Sequence, residues 1–118
     1  MTQHEDYATA GREFLAKAQE ALTQGDLAQA SEKGWGAAAQ LVKAIAEQRG
    51  WSHSGHRELF QVVRRLAEEY SDPQLRTLFH VANSLHNNFY ENWLPEELVQ
   101  SGIQDVRALV AKLEPLLK

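Results

Sequence analysis

The sequence predicts an all-α protein, an antiparallel up-and-down four-helix bundle with an additional helical element. Three observations predict it. Apolar residues recur at spacings of three and four over almost the whole chain, the period of an amphipathic helix. No stretch alternates β-branched with polar residues, and no Asn-Gly or Asp-Gly pair offers a hairpin turn. The breakers Gly25-Asp26, Gly50, Ser71-Asp72-Pro73 and Leu94-Pro95 cut the chain into five segments with short loops, which favour antiparallel neighbours. No segment repeats another at a fixed period, but a pair of tetratricopeptide repeats would have helices of similar length and is the alternative architecture.

Each segment has its own signature. In the first, Tyr7, Gly11, Phe14, Ala18 and Leu22 share a stripe, and Gly25 is placed to end the helix. Asp26 is the expected N-cap of a second helix that runs to about Arg49 and stops at Gly50. A third starts near Ser54, its expected cap, and carries Leu59, Val63, Leu66 and Tyr70. Asp72 and Pro73 open the fourth as N-cap and first helical residue, with Leu75, Leu78, Ala82, Leu85 and Phe89 facing inward. Pro95, Glu96 and Glu97 open the last with the charges a helix N-terminus favours. Its expected inner face is Leu98, Gly102, Val106, Val110, Leu113 and Leu117, with Pro115 fraying the end.

At 118 residues the chain has the length of one domain, taken as residues 1–118. Its 43% hydrophobic and 24% charged residues are ordinary for a soluble globular protein. A net charge of -4 supplies no global positive field and argues against a general nucleic-acid coat. The absence of cysteine removes disulfides, thiolate metal sites and cysteine nucleophiles. With a polar Met1–Tyr7 segment and no apolar run of membrane-spanning length, the expected setting is the cytoplasm, off the membrane.

Gly34 and Gly36 flank Trp35 in mid-helix, where each glycine costs about 1 kcal/mol relative to alanine. Close approach of a neighbouring helix is the expected reason, and admission of a ligand or partner the other. Trp51 and Trp93 fall outside the apolar stripes, as end caps of the core or as an aromatic patch for a partner.

The residues able to do chemistry gather on the fourth segment, around Leu85-His86-Asn87-Asn88-Phe89-Tyr90-Glu91. Beside the apolar stripe runs a polar one of Arg76, His80, Asn83 and Asn87, with His86 and Tyr90 one turn apart next to it. His86 is the candidate acid–base group, Asn83 its orienting partner, and His80 a substitute cation when protonated. Arg76, Asn87, Asn88, Tyr90, His53 and His56 are the candidate binding residues. The same polar groups equally suit buried hydrogen bonds between helices or a dimer seam. His53 and His56, three apart, would need His80 or His86 to complete a metal set. Ser54-Gly55 interrupts the helical turn between them, and no carboxylate sits at the spacing of a two-histidine zinc motif, so no metal or other cofactor is assigned.

Four blocks carry a family resemblance: Gly25-Asp26 with Gln29 to Lys33, Trp35 to Ala38 with Leu41 to Ala44, His53 to Leu59, and Leu85-His86-x-Asn88-Phe89-Tyr90-Glu91 continuing into Trp93 to Glu97. Together, over about residues 10 to 114, the chain resembles the PaREP family, small prokaryotic proteins within the HEPN superfamily. The resemblance implies an antiparallel four-helix bundle with a further helical element, paired into a homodimer. It also implies a nucleotide or RNA ligand, and a nucleotidyltransferase-like protein as partner in a toxin–antitoxin-like system. Many members of that superfamily are metal-independent ribonucleases that use an arginine followed, after four to six intervening residues, by a histidine. This chain departs from that pattern: Phe79, His80 and Val81 hold the positions from which an arginine would reach His86. A binding module is therefore the expected function, with a ribonuclease using His86 without its arginine as the alternative.

Overall fold

A computed structural model describes residues 2–118. Local capping rules set the ends of its five α-helices. α1 (Gln3–Thr23) starts in a capping box, in which the Thr2 side chain accepts from the Glu5 N–H and the Glu5 side chain reaches back. α2 (Leu27–Arg49) starts at Asp26, whose Oδ1 accepts from Gln29 N–H at 3.1 Å. It ends at Gly50, where a left-handed φ of 73° lets the Trp51 N–H return to the Ala46 carbonyl at 2.8 Å. α3 (His56–Glu69) has Gly55 as N-cap rather than Ser54. Ser54 instead donates its N–H and hydroxyl to the Glu58 carboxylate, at 2.7 and 2.8 Å. These bonds hold the Glu58 carboxyl below the usual carboxylate range. α4 (Gln74–Glu91) has Pro73 as N-cap rather than Asp72, whose carboxylate accepts from the Gln74 N–H, and it ends at Asn92 in the left-handed region. α5 (Glu96–Leu113) leads into a short 3₁₀ turn at Glu114–Leu116 that contains Pro115. Among the described residues there is no strand, and no helix is long and apolar enough to cross a membrane.

α2 is the hub, packing against α1, α3, α4 and α5. Its alanines at 37, 38, 44 and 46 are buried, and Leu41, Val42 and Ile45 are closed off from solvent. Each of those three aliphatic side chains contributes about 1.5–3 kcal/mol through burial. The flanking glycines let two neighbours come close. A Cβ on Gly34 would stand 2.6 Å from Ile103 Cδ1 of α5, and one on Gly36 would stand 3.1 Å from the Phe14 ring of α1.

Residue pairs give the helix directions. Gly11 meets Leu41 while Phe14 meets Gly36, Asn88 meets Ser31 while Phe79 meets Trp35, and Gly102 meets Leu85 while Lys112 meets Asp72 just before α4; α1–α2, α2–α4 and α4–α5 are therefore antiparallel. α3 is the added element. His56 at its start lies on Trp35, and Glu69 at its end lies on Arg49, so it runs the same way as α2. The sequence favoured antiparallel neighbours throughout. α2 also runs parallel to α5, with Gly34 against Ile103 and Arg49 against Leu116; among helices consecutive in the chain, α2–α3 is the exception. Its physical cause is the connection: from Trp35 to Arg49 is about 21 Å of helix, and the residues between Gly50 and Gly55, extended, return about that distance. His53, midway along the return, is held by Glu47 at 2.7 Å and set edge-on to Tyr7.

The inward faces differ from the sequence stripes by single positions. In α5 Val99 and Ile103 are buried while Leu98 is exposed, and in α3 Ala67 is buried while Tyr70 is exposed. In α4 Phe79 and Asn88 join Leu75, Ala82 and Leu85 in the interior, while Leu78 and Phe89 are half-buried.

Candidate functional site: an imidazole cluster beside a cleft

Asn88 sets the register of α4 on α2. It is fully buried; its Nδ2 donates to Ser31 Oγ at 2.9 Å, and Ser31 in turn donates to the Leu27 carbonyl. Its Oδ1 accepts from the N–H groups of Trp93 and Leu94, at 2.9 and 2.8 Å, and so ties down the chain entering α5. Three of the four hydrogen bonds this amide can make are to the protein's own groups, as a buried polar group requires.

With that register, His86 arrives opposite Glu32, the neighbour of Ser31. His86 Nδ1 and Glu32 Oε1 are 3.1 Å apart, with both side chains partly buried. A carboxylate only accepts, so Nδ1 carries the proton of this bond and, in the neutral ring, Nε2 keeps its lone pair. Among the described residues Nε2 has no hydrogen-bond partner. Aromatic rings surround the imidazole: Trp35 at 5.2 Å between centroids, His56 at 5.0 Å, and Tyr90 edge-on at 5.3 Å. His56, the first residue of α3, lies flat on Trp35, with centroids 4.9 Å apart and 8° between planes.

Next to this cluster is a cleft of about 450 Å³ between α1, α2 and the start of α3. Glu32, Trp35 and His56 line it, so they belong to both the cleft and the imidazole cluster, whereas His86 stands behind them. Lys33 and Lys43 are its cations, and Phe14 forms the opposite wall with the Lys33 ammonium 5.3 Å from its ring centre. The one carboxylate in the lining, Glu32, is engaged by His86.

The structure therefore brings together His86, Tyr90 and His56 of the sequence candidates and leaves the others apart. His80 is exposed, its ring against Phe60 rather than among those around His86. Arg76 and Asn87 are exposed and Asn83 is half-buried; no hydrogen bond joins any of them to His86. Asn88 serves the interior. His53 is turned to Glu47 and away from the cleft lining. Among the described residues no three His, Asp or Glu side chains gather as a metal-ligand set. Glu32, Lys33 and Lys43 were missed by reasoning from sequence. Glu32 and Lys33 stand within the block next to Trp35, but nothing local links them to a histidine 54 residues away.

Among the described residues the protein is all-α, five α-helices built on a central alanine-rich one, with a histidine–carboxylate pair beside a cleft. The chain belongs to the archaeal PaREP1/PaREP8 family, whose pattern matches residues 6–110. It is similar in structure to a crystallised protein from Sulfolobus solfataricus, with a TM-score of 0.82 and 26% identity, over 92% of this chain and 97% of that one. No curated protein matches it.

Proposed function

We propose that the protein is a HEPN-like binding module for a nucleotide or an RNA end, held in the cleft between α1, α2 and the start of α3. One observation carries this reading: Lys33 and Lys43 line the same cleft as His56, whose ring is already stacked on Trp35. Two ammonium groups suit phosphate, and an exposed ring backed by an indole is a platform on which a base stacks. Isothermal titration with adenosine mono-, di- and triphosphate and a short single-stranded oligoribonucleotide tests it. Saturable binding that weakens with salt, and falls about tenfold in Lys33→Glu/Lys43→Glu, is expected. Absence of binding by all four, or an unaffected double variant, refutes it. The HEPN resemblance also supports a homodimer and a nucleotidyltransferase-like partner; sedimentation of the purified chain checks the first.

A second reading, a metal-independent ribonuclease, is favoured by one specific observation. The chain has no arginine at the expected spacing from His86, yet His56 places a second imidazole 5.0 Å from it. In that reading Glu32 holds the Nδ1–H tautomer, His86 Nε2 accepts the proton of the attacking hydroxyl, and protonated His56 gives one to the leaving oxygen. Cleavage of total RNA that disappears in His86→Ala and has a bell-shaped pH profile is its signature; RNA left intact by the wild type removes it.

A further inference from the structure

We infer that the corner between α4 and α5 is a docking surface for a basic, apolar partner, such as an amphipathic helix with lysine or arginine around leucine-type side chains. Three large apolar side chains lie exposed within this one corner: Tyr90 at 70%, Trp93 at 69% and Leu98 at 54%. Trp and Tyr are the residue types that dominate binding hot spots, and exposed apolar side chains grouped on one part of a surface mark interaction sites. The backbone presenting them is fixed. The Asn88 amide holds the N–H groups of Trp93 and Leu94, Asn92 makes the left-handed turn, and Pro95 precedes the first residue of α5. A surface ordered before its partner arrives loses little entropy on binding.

Charge decides the occupant. Glu91, Glu96 and Glu97 are exposed around these side chains, and none of them is in an ion pair among the described residues. From Thr77 to Val106 the chain has no lysine or arginine at all. The surface is thus an apolar centre with a rim of one sign. A second copy meeting it across a two-fold axis would bring like carboxylates together, and a phosphate backbone would be repelled outright. A cationic partner satisfies the rim, and its ammonium or guanidinium groups also suit the faces of Trp93 and Tyr90. Tyr90 stands edge-on to His86, but none of the three apolar residues lines the Lys33/Lys43 cleft, and the inference does not depend on what that cleft binds.

Fluorescence anisotropy of a dye-labelled synthetic amphipathic helix of leucine and lysine, titrated with the full chain, tests it. The same helix with glutamate for lysine is the control. Wild type should bind the lysine helix and not the control. Trp93→Ser, at an exposed position, should weaken binding about tenfold, and Glu96→Lys/Glu97→Lys should abolish it while circular dichroism shows the fold intact. Binding by Trp93→Ser equal to wild type overturns the inference. So does sedimentation in which the wild type is a dimer and Trp93→Ser a monomer, because the occupant is then a second copy.

Discussion

Asn88→Leu removes the polar anchor of α4 while keeping a side chain of similar bulk, and its cost can be worked from three hydrogen bonds. The Trp93 and Leu94 N–H groups lose their acceptor, and Ser31 Oγ loses a donor. Ser31 keeps its bond to the Leu27 carbonyl, so its share is small. An unmade backbone donor costs about 1–3 kcal/mol when water cannot replace the partner. The two N–H groups are only partly buried, which places the total at about 2–4 kcal/mol. For a chain of this length each kcal/mol lowers Tm by about 4 °C, so a fall of about 8–16 °C is expected. Urea unfolding followed by circular dichroism would show the midpoint shifted and the slope unchanged. Asn88→Asp, which keeps an acceptor but puts a charge at a closed site, should be no better tolerated. Stability of Asn88→Leu within about 0.5 kcal/mol of wild type would mean that packing alone sets the register, and the reasoning would fail.

Two further outcomes follow from named contacts. Gly36→Leu and Gly34→Leu should each cost about 1–3 kcal/mol by overpacking. The Gly34 variant should be the worse, because Ile103 and Leu85 beside it are buried whereas Phe14 beside Gly36 is half-buried; equal urea midpoints would contradict this. Asp72 accepts from Lys112 Nζ at 2.9 Å and from the Gln74 N–H, and the Lys112 hydrogen bond is the main cause of a carboxyl pKa below its ordinary value. A lowered folded pKa means stability that is present above the unfolded value of about 3.9 and is lost as pH falls through the folded one. Asp72→Asn should therefore flatten the loss of stability below about pH 4, as read by urea midpoints across that range; an unchanged acid limb would exclude the contribution.

Features governed by neighbours in sequence were legible, and features governed by distant contacts were not. Asp26, Gly50 and the Pro95 start needed only capping rules, and they fall where those rules put them. The inner face of α5 slipped because the series Leu98, Gly102, Val106, Val110 advances by fours. Each such step drifts about 40° around a helix, so its first member lies off the face that Val99, Ile103, Val106 and Leu109 centre. The direction of α3 depends on the loop after Gly50 being extended, and no local pattern distinguishes an extended return from a compact turn. The cleft was hidden for the same reason: its lining comes from three elements, and the meeting of Glu32 with His86 is a consequence of packing alone.

The stretch from Leu85 to Glu91 looked like one polar cluster, and its angular positions divide it. Leu85 and Asn88, three apart, share the interior face, His86 stands one residue round toward α2, and Tyr90 points to solvent. Asn88 and His86 meet adjacent residues of α2, Ser31 and Glu32, so the buried amide that orders the fold also sets where the imidazole lies. The two substitutions should consequently separate stability from binding. His86→Gln breaks one bond between partly exposed groups, which is worth about 0–1 kcal/mol, so its unfolding midpoint should stay close to wild type. Asn88→Leu should lower both stability and the affinity for a cleft ligand, since a shift of α4 removes the support behind Glu32 and Trp35. A His86→Gln protein as unstable as Asn88→Leu would show that the imidazole is itself a structural anchor, and the division drawn within this segment would be wrong.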